Sequence, residues 1–203
     1  MKFAVITDVH GNARALEAVL ALALGRDYPK SHLHVLAHHQ WIADNMDPAF
    51  IDKLKTLPRV IRDEFNGHRV LFTHYHIEEH KAEAPISEDP FSQIVEPGLM
   101  NAEKMFSAHS DRLICFGHHH PQHFFHNDRT IYLNPGALGC SHKPEAPYAV
   151  VEAKDEGLEV EIKQVAYNNR EFLEAYDKLQ VPERDFILRI FHGGQLDALS
   201  RQD

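Results

Sequence analysis

The twelve residues Met1-Lys2-Phe3-Ala4-Val5-Ile6-Thr7-Asp8-Val9-His10-Gly11-Asn12 decide how the rest of the chain is read. Phe3 to Ile6 is a short apolar run with β-branched members, the pattern of a buried strand. It stops at polar residues, and Leu16, Val19, Leu20, Ala23 and Leu24 then recur at helical spacing. A strand, a Gly-containing turn and a helix open an α/β sandwich, a fold whose ligands sit beyond the carboxyl ends of its strands. Asp8 and His10 fall there on alternate positions, so both side chains point into one site. They offer one hard oxygen and one imidazole to a divalent cation. Alone, Asp-x-His after a strand is more often a turn and a surface histidine. Its meaning depends on what later strand ends contribute.

Outward from that stretch, the first helix is expected over 15–24, with Gly25 as its stop. A second is expected over 32–44 and a third over 49–56, the third opened by Asp47-Pro48 and closed before Pro58. Strands over 60–64 and 68–74 flank Asn66-Gly67, a strong hairpin signal. Residues 80–97 are polar and Pro-rich and read as a surface loop. A helix is expected over 98–107, and a short strand over 112–116 that runs into Gly117-His118-His119-His120-Pro121. Strands over 122–126 and 130–133 flank Asn127-Asp128, and another hairpin spans 148–165. Two helices over 169–179 and 183–191 complete a single domain, 1–203. On the last of these, Phe186, Ile187, Ile190 and Phe191 suit a core or a dimer contact, and a homo-oligomer is left open.

With 203 residues, 43% hydrophobic and 25% charged, the chain has an ordinary globular composition. It contains no apolar run of transmembrane length and no cleavable leader after Met1-Lys2-Phe3, so a cytoplasmic protein without membrane attachment is expected. Two cysteines, Cys115 and Cys140, are too few for a disulfide scaffold and read as small buried residues of a reduced protein. A net charge of −9 argues against binding duplex nucleic acid, but it leaves room for a small phosphorylated substrate drawn to bound metal. The 17 histidines stand out, and their positions matter more than their number.

Four segments share one pattern, an apolar strand that stops at a ligand-type residue: Ile6 to His10, Leu71 to His74, Cys115 to His120, and Tyr132 to Gly136. With those strands side by side, Asp8, His10, His74, His118 and His120 converge at one sheet edge. One carboxylate and four imidazoles suit Mn, Fe, Ni or Zn far better than Ca. Gly117 would let the backbone turn near the metal. Asn134-Pro135-Gly136 is a tight turn that braces the site, and Asn12, Asn134 and His76 are the candidates for contacts behind the metals or with substrate. Alternation turns His119 away from its two neighbours. The order Asp-x-His-Gly-Asn, a strand-end His, Gly-His-x-His and Asn-Pro-Gly resembles the calcineurin-like metallophosphoesterases, most closely the small bacterial phosphodiesterases of the YfcE type. That resemblance implies an α/β/β/α sandwich of mixed sheets. It also implies a metal-dependent phosphodiesterase or phosphatase, with manganese among the candidate ions, in which a metal-held hydroxide attacks phosphorus. Asp8, His10 and His120 would hold one ion, and His74 and His118 a second.

The chain departs from that pattern in one place. The family carries a Gly-Asp motif, which supplies a carboxylate bridging both ions, and then a Gly-Asn-His/Asp motif, which supplies an Asn ligand. None of the ten glycines here precedes an aspartate, and Gly11-Asn12 is the one Gly-Asn pair. After Leu24-Gly25-Arg26-Asp27 the chain resumes with what the family has beyond those motifs. A βαβ unit of at least about 30 residues is lacking. Asp8, His10 and His120 would still form a 2-His-1-carboxylate face for a single ion, whereas a complete site would take two. Asp27, His34, His38 and His39 are the available substitutes, although helix-borne histidines are more often exposed. Without the bridge, a degenerate member that binds metal or nucleotide, or a protein partner, without turnover is the competing expectation.

Overall fold

The computed structural model describes residues 1–8, 36–84 and 90–196. The expected first helix, His10, Asn12, Asp27 and His34 lie outside them. Two sheets form the frame. One has three strands in the order β1 (Lys2–Val5), β7 (Glu145–Lys154), β8 (Gly157–Ala166). The other has five, in the order β2 (Val60–Phe65), β3 (His68–Thr73), β4 (Leu113–Cys115), β6 (Ile131–Asn134), β5 (His123–His126). β3, β4 and β6 run parallel, while β2 and β5 pair antiparallel at the two sides, so the larger sheet is mixed. The described helices are α1 (Leu36–Asn45), α2 (Ala49–Lys55), α3 (Leu99–Met105), α4 (Arg170–Lys178) and α5 (Arg184–Ile190).

Side-chain alternation sets the layers. In β7, Pro147, Ala149, Val151 and Ala153 are buried while their neighbours are half-buried, the period-two signature of a strand with one face on a core. Ala149 and Val151 meet Val5 of β1 and Val70, Leu113, Cys115, Ile131 and Leu133 of the larger sheet, forming the core between the sheets. The opposite face of the larger sheet offers Leu71, Ile114 and Tyr132. These pack with Phe116, Tyr75, Phe91 and the α3 side of the molecule, Ala102 and Phe106. Each fully buried Leu, Ile or Phe contributes roughly 1.5–3 kcal/mol from removal of its surface from water. Helix, five-stranded sheet and three-stranded sheet are thus stacked as the α/β sandwich expected.

Two features depart from the sequence reading. The four ligand-bearing strands do not lie side by side in one sheet: β1 belongs to the small sheet, the other three to the large one. Their carboxyl ends still meet, because Thr7 forms a parallel bridge with Ala137 just past β6. β1 is also an edge strand among the described residues, with β7 as its described neighbour and Ile6 53% exposed. An apolar strand of this type normally has partners on both sides.

Candidate functional site

Asp8 and His118 form the centre of the site. Both have left-handed backbones, φ +46° for Asp8 and +68° for His118. Non-glycine residues reach that region at a cost on the order of 1–3 kcal/mol, least for Asp, Asn and His, and they gather at functional sites. Here the two conformations face each other: the His118 amide donates to Asp8 Oδ2 at 3.0 Å and to Oδ1 at 3.2 Å. Gly117 makes the approach possible. A Cβ on it would stand 2.7 Å from Asp8 Oδ2 and 3.1 Å from Thr7 Cβ. The glycine is therefore needed for space rather than for an unusual φ, since it is not among the positive-φ glycines.

The larger sheet delivers the next residues. The Gly117 amide donates to the His74 carbonyl at 2.8 Å, holding the end of β3 against the end of β4. The His74 and His118 rings then stand edge to face with centroids 5.2 Å apart, with Phe91 packed against both. Tyr75, fully buried, lies 5.0 Å from the His118 ring. Burial pushes the Tyr75 hydroxyl above its ordinary pKa, a shift the Val95 amide opposes. His120 sits past the turn, its carbonyl accepting from the Ala137 amide.

Asn134, fully buried, joins the segments. Its amide nitrogen donates to the carbonyls of His119 and Pro121, and its oxygen accepts from the Gly136 amide and the Thr7 hydroxyl. All of its donors and acceptors serve the brace between β1, β6 and the histidine turn. Gly136 completes the turn at φ +96°. His119 points away from its neighbours: its Nδ1 lies 3.0 Å from Nε2 of buried His123. Burial, and then the charge of His119, hold His123 down at about 4. His76 is placed against Ser92, with its Nδ1 3.0 Å from the hydroxyl, and against the Phe106 ring. His38, one of the substitute ligands considered, faces the Pro182 carbonyl and Glu183 between α4 and α5. The side chain of His39 lies outside the described residues.

Sequence reasoning missed Cys140. The Leu138 and Gly139 amides donate to the carbonyls of Thr7 and Asp8, which carries the chain from Asn134-Pro135-Gly136 along the site. Cys140 Sγ then lies 3.5 Å from His120 Nδ1 and donates to the Phe191 carbonyl at 3.3 Å. Burial, and then the nearby Asp8 charge, push this thiol up to about 12. Its place four residues after the Asn-Pro-Gly turn was the signal available. By contrast Cys115 is a core residue of β4, as expected.

The donor types, one carboxylate and several imidazoles, fit a divalent transition ion. The fit is one of donor type and common placement. Among the described residues no group of three His, Cys, Asp or Glu stands close enough to hold an ion. The fifth expected donor, His10, lies outside those residues.

No curated protein matches the chain. A metallophosphoesterase from Sphaerobacter thermophilus has a similar fold, with a TM-score of 0.59 at 19% identity over 90% of this chain and 96% of that one. A hypothetical protein of Pyrococcus horikoshii, PH1004, gives a TM-score of 0.65 at 14% identity over 89% of this chain and 70% of that one. At such identities the likeness is one of fold. The profile of the calcineurin-like phosphoesterase superfamily domain matches residues 1–156, well over half of the sequence, and so the chain belongs to that superfamily.

Proposed function

We propose that the protein hydrolyses a phosphate ester, either a phosphodiester or a small phosphomonoester, with one divalent transition ion held at the Asp8 side of the site. The observation that carries this reading is the Asp8–His118 clasp: two strained residues, joined through both carboxylate oxygens, beside the Thr7–Ala137 bridge that brings the ends of the two sheets together. Strain kept at such a point is more readily explained by function than by packing. Asp8 and His120, with His10, would hold the ion, and Mn, Fe, Ni or Zn suits them. When bound, it would polarise the phosphoryl oxygen and lower the pKa of its water.

The remaining roles fall to the chain's own residues. The His118 amide fixes the orientation of the Asp8 carboxylate, leaving its outer lone pairs for a ligand. His74 and His118, walled by Phe91 and Tyr75, present imidazoles on the far side, where a phosphoryl group or its leaving oxygen would lie. Asn134 holds the histidine turn against β1 so that these groups keep their spacing. The acidic surface, net −9, leaves the site itself to attract the anionic substrate.

A second reading has an observation of its own. With no Gly-Asp motif in the sequence to supply a bridging carboxylate, binding without turnover is the second reading. Hydrolysis of bis(p-nitrophenyl) phosphate in added Mn(II), before and after chelation, separates the two. Turnover that is lost with chelator and with Asp8→Asn supports the enzyme. Tight Mn(II) binding without turnover supports the binding protein.

A further inference from the structure

The C-terminal helices lie beyond residues 1–156, the part that matches the family profile. They nonetheless hold a segment on which the candidate site depends. Residues 138–144, between the Asn134-Pro135-Gly136 turn and β7, are neither helix nor strand. Along one side this segment clamps the end of β1. The Leu138 amide donates to the Thr7 carbonyl at 3.1 Å, and the Gly139 amide to the Asp8 carbonyl at 3.2 Å. Asp8 is thus held twice, its carboxylate by the His118 amide and its left-handed backbone by Gly139. Without a ladder of its own, such a segment keeps its place only through contacts on its other side.

Those contacts come from the C-terminal helices and the turn after them. Gln195 Nε2 donates to the Ser141 carbonyl at 2.7 Å. A main-chain carbonyl only accepts, so Gln195 must turn its nitrogen to Ser141 and its oxygen the other way. That oxygen accepts from Nδ2 of buried Asn169 at 3.0 Å. Asn169 is itself fixed at the start of α4, where its carbonyl accepts from the Leu173 amide, and the Gln195 main-chain amide donates to the His192 carbonyl. The Gln195 amide therefore has one orientation and anchors at both ends. Beside it, His142 Nε2 donates to the Ile190 carbonyl at 3.0 Å. We propose that Gln195 is a positioning residue for Asp8: through Ser141 it holds residues 138–142 against the end of β1, so that Gly139 keeps the Asp8 backbone, and with it the carboxylate, in place for an ion. The inference rests on the functional reading above, in which Asp8 is a ligand of that ion.

Amide hydrogen exchange followed by NMR, together with Mn(II) titration, tests it on the full chain. Gln195→Glu keeps the length of the side chain but sets an oxygen against the Ser141 carbonyl, which repels it. Exchange at Leu138 and Gly139 is expected to quicken about tenfold. The core amides of Phe116 and Ile131, which donate to the Leu133 and Arg112 carbonyls, should exchange as before. Mn(II) should bind about tenfold more weakly, the cost of losing a supporting group. A merely structural role would quicken all four amides together and leave the affinity of the folded protein unchanged, and Gly67→Ala, in the first hairpin, controls for general destabilisation by keeping the parent's Mn(II) affinity. Unchanged exchange at Leu138 and Gly139, equal quickening of all four amides, or an unchanged Mn(II) affinity overturns the proposal. If Gln195→Glu fails to fold, Gln195→Met, equally long and uncharged, is read by the same measurements. Leu138 and Gly139 amides that exchange as freely as exposed ones in the unsubstituted protein overturn it without any variant. Should these two amides quicken alone while the unsubstituted protein binds no Mn(II), the hold on Asp8 stands and the functional reading fails.

Discussion

At the scale of single residues, the site is governed by how closely Asp8 approaches the backbone of the histidine turn. Gly117→Ala puts a methyl group 2.7 Å from Asp8 Oδ2, so the carboxylate must leave and the His118 amide loses its acceptor. Overpacking of this kind costs about 1–3 kcal/mol. Urea denaturation should show a loss in that range, and phosphodiester turnover should fall along with it. A variant as stable and as active as the parent would mean that the clasp is incidental. Asp8→Asn keeps the size of the side chain but removes its charge. It should lower turnover and Mn(II) affinity by at least about 100-fold, beyond what the loss of a supporting group costs, while leaving the fold intact by circular dichroism.

At the scale of elements, the hairpins and the β5 strand show what the local sequence specifies. Asn66 and Gly67 have φ +49° and +77°, the mirror-image turn that matches the twist of paired strands. Gly67→Ala meets no neighbouring atom yet must keep a left-handed backbone, so it should cost about 1–2 kcal/mol in denaturant unfolding. His123 on β5 gives a pH signature. Its folded pKa is held at about 4, whereas the unfolded chain takes up the proton near 6.5. Between those values the unfolded state binds more protons, so stability is full above 6.5 and is lost as the pH falls toward 4. The slope from this one group approaches about 1.4 kcal/mol per pH unit inside that window. His76, His109 and His192, also lowered by burial, add to it in the same direction. In His123→Phe the acid slope, read from urea midpoints across the window, should be shallower by about one proton, and an equal slope would contradict the burial argument.

Most of these elements were legible in the sequence because their signals are local. The Asn66-Gly67 and Asn127-Asp128 turns, and the apolar runs ending in His74 and Asn134, place four strands to within a residue or two. β7 and β8 run longer than expected, from Glu145 and to Ala166, because continuous pairing carries Pro147 and Gln164 into the ladder despite their composition. Less legible was what depends on long-range geometry. Pattern alone could not assign β1 to a different sheet from β3, β4 and β6, since a buried strand looks the same in either. Nor could it show that Cys140 meets His120, or that Asn134 spends its whole amide on the brace, because these contacts join residues far apart in the chain.

At the scale of the whole molecule, the two sheets share one core, Val5 to Val151 on one side and Val70 to Leu133 on the other. The sequence has no Gly-Asp motif of the kind that supplies a bridging carboxylate in the family it resembles. Among the described residues no helix is long and apolar enough to cross a membrane. A site reduced in this way should depend fully on one ion: chelation should abolish turnover, and Mn(II) should restore it. The most direct test is the metal content per chain, by elemental analysis of protein whose intact mass has been verified, with turnover measured on the same sample. One transition ion per chain, held by a set that includes Asp8 and His120, is expected together with phosphodiester hydrolysis. Protein that holds no ion and hydrolyses nothing after Mn(II) loading would contradict it.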